Sequence, residues 1–423
     1  MIRILQFSDI HFLCCNDTED EYVQMRQRFK EDLECLKGKV GAIPYILICG
    51  DIANKGQKAE FDKARSYINE LCDILKVDDK APDVFVIPGN HDIDRKAYEK
   101  TRNLFREKLL NFEGKENECF LRTLLHNEPD SIKILYSTFN TYNDFATEYS
   151  SVDGIGEKIL EGGHTLNFEK SNLFWKQPID KIDNYSINLV GLNSALLCDG
   201  HEKEYPVIDK REHTLFLPYM AYNIPTPSNE VNISMIHHPL NWLGNEKEVQ
   251  TVFDERFKIQ FYGHMHKQSS ASDSSIKIYS GALQPPKDDS GTLAVYNYIE
   301  IDIENSVLTV SINCRKWDDN KFCKYEKESK KYSLSLKVED EWNQDEKKKA
   351  QQNISVEETS IPKHEIIQRF RSLSIEKKRM VIEEMLPSVN KEKRSSHEKE
   401  LLFIRAMRDS GRLNELYKKL INT

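Results

Sequence analysis

The sequence predicts an α/β protein followed by a small all-α bundle. Three observations carry this. Short apolar runs alternate with helical patterns over the first hundred residues, as strands buried on both faces do. Residues 339–360 (EDEWNQDEKKKAQQNISVEETS) are polar, almost without apolar periodicity, and read as a linker. Beyond them the apolar period becomes helical. A chain of 423 residues suits two or three domains. The expected division is a large α/β domain over 1–338, a linker over 339–360 and a helical unit over 361–423.

The elements follow in order. RILQFSDIHF is a short apolar strand ending in polar residues, and a polar helix runs from about Glu19 to Leu36. PYILICGD is a second buried strand, with Ile46, Leu47, Ile48 and Cys49 leading to Gly50-Asp51. A helix follows from Ala59 to Leu75, then DVFVIPGNHD gives a third strand ending on Asn90-His91-Asp92. About 145 residues separate this motif from the next strand. Within them NLFREKLLNF and SIKILYSTFNTYNDFATEYS read as helices of a cap insert over about 100–185, and INLVGLNSALL returns to the sheet. Tyr136, Phe139, Tyr142 and Phe145 recur at every third position. They read as a packed helix face, with a base-stacking surface as the sharper alternative. VNISMIHHP and RFKIQFYGHMH are two more strands. IKIYSGAL, GTLAVYNYIEIDI and SVLTVSI form an antiparallel set finishing a second sheet, and YSLSLKV adds one strand more.

Composition narrows the function. Apolar residues are 39% and charged residues 30%, enough for an ordinary core and against wholesale disorder. No stretch approaches the roughly 18 uncharged apolar residues of a membrane span. MIRILQFSDIHF lacks the pattern of a secretory leader, so a cytoplasmic protein with no membrane partner is expected. Nine cysteines without a CxxC pair fit a reducing compartment, and Cys14 and Cys15 read as free thiols. The net charge of −9 is an average. Residues 361–423 hold 15 Lys and Arg against 9 Asp and Glu, and the remainder 45 against 60. This argues against coating the whole protein on nucleic acid, but not against a local basic groove.

RILQFSDIHF, PYILICGD, DVFVIPGNHD, VNISMIHHP and RFKIQFYGHMH all end in carboxylate, imidazole or amide groups, where ligands bind in α/β sheets. Asp9 and His11 are two apart, so on an extended strand end they project to one side. Asp51, Asn90, His237, His264 and His266 complete a nitrogen and oxygen donor set without thiolate. Such a set suits hard or borderline divalent ions such as Mn²⁺, Fe²⁺ or Zn²⁺. Seven ligands exceed one tetrahedral site and suit two ions if one carboxylate bridges, Asp51 being the natural bridge. His91 is left over, placed to donate a proton to a leaving-group oxygen, with Asp92 expected to orient it.

DIH (Asp9–His11), GDIAN (Gly50–Asn54), GNHD (Gly89–Asp92), HHP (His237–Pro239) and GHMH (Gly263–His266) stand in the order of the calcineurin-like metallophosphoesterase superfamily, which residues 1–320 resemble. The resemblance implies two β-sheets packed face to face with helices outside. It implies one metal on Asp9, His11, Asp51 and His266 and another on Asp51, Asn90, His237 and His264, with His91 as the catalytic histidine. Mn is the expected metal, with Fe, Zn or Ni as alternatives. GDxxN and the HHP form without a leading glycine look more like the phosphodiesterase and nuclease-like branches than the protein phosphatases. In HHP, His237 is the expected ligand because the strand ends there, and His238 is expected behind it or against substrate. The expected activity is phosphodiester hydrolysis, with nucleic acid the leading substrate. A cyclic-nucleotide or other small phosphodiesterase, a protein phosphomonoesterase and a non-catalytic scaffold are the alternatives.

Other features read more plainly. His164, His201 and His213 are expected at the surface, and Lys347–Lys349 as a solvated linker face. In the tail, Pro362 opens a helix carrying Ile366, Phe370 and Leu373. Ser374 caps a second that stops at Pro387. Ser395 and Glu398 have capping-box spacing for a third, with Leu401, Ile404 and Met407, broken at Asp409-Ser410-Gly411. Leu413, Leu416, Tyr417, Leu420 and Ile421 stripe the last. GRLNELYKKL resembles effector-associated and death-like adaptor domains appended to bacterial defence enzymes. A protein partner or self-association through 361–423 is therefore expected, with a nucleic-acid clamp as the alternative.

Overall fold

The computed structural model describes residues 1–13, 20, 22–97, 99–111, 116–127, 129–149, 173–204, 213–224, 226–285 and 292–336, and, beyond these, 366, 370, 375–387, 399, 403–404, 406–407, 410 and 412–421. Cys14, Cys15, His164, the linker with Lys347–Lys349, and Pro362, Leu373, Ser374, Ser395, Glu398, Leu401, Asp409 and Gly411 lie outside them. The chain divides into two compact units, Met1–Val338 and Glu339–Thr423.

The first unit is built on two sheets. One has the order β12-β11-β10-β1-β2-β3, with β13 also pairing β11. Its strands are β1 (Ile2–Phe7), β2 (Tyr45–Ile48), β3 (Asp83–Val86), β10 (Val295–Glu304), β11 (Val307–Asp318), β12 (Lys321–Lys324) and β13 (Lys330–Ser335). The other has the order β4-β5-β6-β7-β9-β8, from β4 (Phe174–Ile182), β5 (Tyr185–Leu192), β6 (Glu230–Ile236), β7 (Ile259–Tyr262), β8 (Ser269–Ser272) and β9 (Ile276–Tyr279). β1, β2 and β3 run parallel, as do β5, β6, β7 and β9, so IKIY joins the second sheet in parallel, whereas β10 and β11 finish the first sheet and not, as expected, the second.

The continuous apolar runs have a physical cause. In β1, Ile2 and Ile4 enter a core shared with Leu189, Ile233, Met235 and Phe261 of the second sheet. Leu5 and Phe7 face the opposite way, into a core with Phe29 and Leu33 of α1 (Val23–Val40) and Phe61 and Ile68 of α2 (Lys58–Leu75). Both faces of the strand are covered, so no polar alternation survives. A third core lies on the other side of the second sheet. It takes in helices of the insert, α3 (Glu99–Asn111), α4 (Glu116–Asn127) and α5 (Pro129–Tyr136). The short α7 (Tyr219–Tyr222) and α8 (Glu246–Arg256) also contribute.

The insert departs from expectation twice, and the first departure is that its end, Phe174–Ile182, is β4 of the second sheet. SIKILYSTFNTYNDF is not one helix: a 3-10 turn at Ser137–Phe139 separates α5 from α6 (Asn140–Ala146). The tighter turn rotates the apolar stripe. Tyr136 and Phe139 therefore join the core beneath the insert, and Tyr142 and Phe145 pack on α2, where Phe145 stacks on Phe61 with centroids 4.9 Å apart. All four rings are buried, which removes them as a base-stacking surface.

In the second unit, α9 (Ile375–Met385) and α10 (Leu413–Ile421) contribute to a core of Ile366, Phe370, Val381, Ile382, Phe403, Ile404, Met407, Leu413 and Leu416. Among the described residues no helix is long and apolar enough to cross a membrane, and the seven described cysteines are free.

Candidate metal centre

The turns after β1, β2, β3, β6 and β7 meet at one rim. Five candidate ligands sit there with left-handed backbone: Asp9 (φ 54°), His11 (51°), Asp51 (52°), His264 (67°) and His266 (51°). Such residues cost of order 1–2 kcal/mol each and persist only where the surroundings hold them. Here the turns bind one another. Asp9 N–H donates to the Gly50 carbonyl, and the N–H groups of Ile10 and His11 both donate to the Asp51 carbonyl. Asp9 and His11 therefore do not project from an extended strand, as their spacing suggested. β1 ends at Phe7, and a left-handed turn carries both side chains to the rim.

Close approach fixes the neighbours. A Cβ on Gly89 would lie 2.1 Å from Asp51 Oδ1, and one on Gly50, itself at φ 89°, would lie 2.5 Å from His237 Nδ1. Only glycine fits at either place.

Around Asp9, the Ser8 hydroxyl and the His264 N–H both donate to Oδ2. Oδ1 makes no hydrogen bond, nor does either ring nitrogen of His11, and all three atoms are buried. His266 Nε2 lies 3.3 Å and His11 Nε2 3.9 Å from that Oδ1, and His11 Nε2 lies 4.0 Å from Asp51 Oδ2. On the other side, His237 Nδ1 lies 2.8 Å from the Cys49 carbonyl. A carbonyl only accepts, so Nδ1 carries the proton and Nε2 turns its lone pair inward. That Nε2 is 3.3 Å from Asp51 Oδ2 and 3.2 Å from Asn90 Oδ1. His264 packs against it, ring centroids 5.2 Å apart.

The electrostatics say what these donors lack. Burial opposes charge on the His237 imidazole, yet Asp51 and Asp9 raise it to about 9. Burial likewise opposes charge on Asp51, and His237 and His11 nevertheless hold it well below the usual carboxylate range. Converging lone pairs that draw a proton in this way are a site that calls for positive charge. Divalent cations fit the donor set on both sides of Asp51.

All seven predicted ligands are thus brought together, with Asp51 between the two groups. His238 is also buried beside them, but its nitrogens are engaged elsewhere. Nδ1 lies 2.8 Å from Ser194 Oγ and Nε2 3.8 Å from Cys198 Sγ, and burial keeps the ring neutral. His91 sits next to the centre, its backbone N–H donating to Asp51 Oδ1 at 2.8 Å and its ring 4.8 Å from that of His11.

Asp92 does not orient His91, which corrects the expectation from sequence. Its carboxylate accepts from the backbone N–H groups of Ile52, Ala53 and Gly89, at 2.8, 2.7 and 2.9 Å, and so ties the second and third motifs together. Burial and the neighbouring Asp51 raise its carboxyl to about 8. The partner of His91 Nδ1 is the Asn54 carbonyl at 2.8 Å. Of the other histidines expected at the surface, His201 is largely exposed, whereas His213 is mostly buried and pairs with Asp199 at 2.9 Å. Sequence reasoning also missed Ser8, Ser194 and Trp242. The Trp242 indole stands edge-on to His264 with centroids 4.2 Å apart. Only its place three residues after the HHP motif hinted at it.

The model of the calcineurin-like phosphoesterase family matches residues 2–268. The chain belongs to that family. It is accordingly a metal-dependent phosphoesterase, a hydrolase, and the family implies divalent metal ions. Among solved structures, it is similar to zinc-complexed Vps29 from Entamoeba histolytica, with 12% identity, 79% of this chain and 100% of that one covered, and a TM-score of 0.30. It is also similar to a conserved uncharacterised protein from Streptococcus pneumoniae (12%, 79% and 98%, TM-score 0.30). A third is the calcineurin-like phosphoesterase YfkN from Bacillus subtilis (10%, 79% and 90%, TM-score 0.35). No curated protein matches the chain.

Proposed function

We propose that this phosphoesterase is a dinuclear phosphodiesterase whose leading substrate is nucleic acid. The observation behind the reading is the pair of donor groups sharing Asp51, with the His91 ring packed against that of His11. Asp9, His11, Asp51 and His266 would hold one ion, and Asp51, Asn90, His237 and His264 the other, Mn²⁺ being the leading choice. Two such ions, when bound, neutralise a phosphoryl group and supply an activated water. The chain's own residues do the rest. Cys49 and Asn54 carbonyls set the tautomers of His237 and His91. With Nδ1–H engaged, a protonated His91 delivers its other proton, from Nε2, to the leaving-group oxygen. Asp92 holds the loop that carries His91.

The GDxxN and HHP motifs favour a diester over a protein phosphomonoester. The test is one panel in Mn²⁺: bis-(nitrophenyl) phosphate, its monoester, single- and double-stranded DNA, RNA and cyclic nucleotides. Turnover of polynucleotides with no competition by cyclic nucleotides supports the nuclease. The reverse result gives the small-molecule phosphodiesterase. The second unit, with its own apolar core and the basic stretch 361–423, is proposed to serve a protein partner or self-association, as in a defence effector. Removing 361–423 should then change the oligomeric state or partner binding and leave the rate on small diesters near normal.

A further inference from the structure

A cavity of about 1050 Å³ opens between α4, α7 and α8, and none of the metal-centre residues lines it. Its volume is at the upper end of ordinary ligand sites. Leu215, Phe216 and Val252 give it an apolar wall. Two carboxylates, Glu118 and Glu248, belong to its lining. Glu118 Oε1 accepts the Tyr219 backbone N–H, which fixes the group in place. Its Oε2 is buried and makes no hydrogen bond. A buried carboxylate oxygen without a donor carries the full cost of its lost hydration. Burial accordingly raises the Glu118 carboxyl.

The surroundings indicate which ligand would relieve that cost. Glu248, also in the lining, bears electrostatically on the Tyr222 phenol together with Glu118. The Tyr219 and Tyr222 rings pack edge to face, centroids 5.4 Å apart, and aromatic rings of this kind favour cations. Against the two carboxylates the described lining offers one guanidinium, the exposed Arg122, which draws the Glu118 carboxyl down without outweighing burial. An anion or a neutral apolar molecule would leave Glu118 Oε2 as it is. A cation would neutralise the two carboxylates of the lining, and its carbon would cover the apolar wall.

We propose that this cavity binds an organic cation, an amine or guanidine carried on an apolar carbon chain. The proposal is independent of which phosphoester the metal centre cleaves.

Calorimetric titration of the full chain with hexylamine and agmatine, and with hexanol as the neutral equivalent, tests it. At least one of the two cations should bind, and hexanol about tenfold more weakly or not at all. Glu118→Gln retains an acceptor for the Tyr219 N–H but loses the charge, and should weaken the cation about tenfold. Thr251→Lys, on the exposed side of α8, should block binding by placing an ammonium in the cavity, and serves if the Glu118 variant does not fold. The proposal is overturned if neither cation binds at millimolar concentration, or if hexanol binds as well as they do. Unchanged cation affinity in the folded Glu118→Gln protein, or in Thr251→Lys, overturns it equally.

Discussion

His91 Nδ1 lies 2.8 Å from the backbone carbonyl oxygen of Asn54, so the ring of the candidate acid is set by main chain and not by a carboxylate. The consequence is a separation of roles within GNHD. His91 faces the centre, and Asp92 braces the loops behind it. Asn54→Ala leaves the carbonyl in place and should leave the pH profile of turnover unchanged. His91→Ala should keep its metal and lose about 10²–10⁴-fold in rate on diesters with poor leaving groups, and less on nitrophenyl diesters. Equal rates for the variant and the parent on poor leaving groups would remove His91 from proton transfer.

Gly89 is held by contact. A methyl group there would meet Asp51 Oδ1 at 2.1 Å and Asp51 N at 2.5 Å. Gly89→Ala should therefore displace the shared carboxylate, with a stability loss of about 1–3 kcal/mol and loss of metal. Thermal melting and metal content by elemental analysis check both. Full metal content in that variant would mean Asp51 is not the bridge.

The two adjacent histidines should separate cleanly. His237 turns its lone pair to Asp51 and Asn90, whereas both nitrogens of His238 have partners at Ser194 and Cys198. His237→Ala should lose metal, and His238→Ala should retain it while melting lower. The opposite pattern of metal content would make His238 the ligand.

Glu118 gives a pH prediction. Burial raises its carboxyl above the ordinary 4.5, so the folded chain holds the proton more tightly than the unfolded one. Its contribution to stability is present below 4.5 and is lost as pH rises through the folded value. Glu118→Gln should flatten that part of the stability profile, measured by denaturant melts across the acid range. A profile identical to the parent's would contradict the raised value.

Much of the fold was legible because β1, β2, β3, β6 and β7 are covered on both faces, and their apolar runs stop where the donor residues begin. The donors lie close in sequence to strand ends, so strand order alone brought them to one rim. What was not legible depends on main chain. Nothing in GDIAN announces that Asn54 acts through its carbonyl, or that Asp9 and His11 converge by left-handed turns. β4 was missed because Pro178 and its exposed polar residues mask an edge strand, which also carries a bulge between Pro178 and Asp180. The break between α5 and α6 was hidden because a threefold spacing of aromatics suits a 3-10 turn as well as a helix.

The central claim is that Asp51 joins two metal sites that hydrolyse a phosphodiester. The direct measurement is metal content together with Mn²⁺-dependent hydrolysis of bis-(nitrophenyl) phosphate, in the parent and in Asp51→Asn. The account predicts about two ions per chain in the parent and loss of both metal and turnover in the variant. Equal turnover in the two proteins, or one ion per chain unaffected by the substitution, would contradict it.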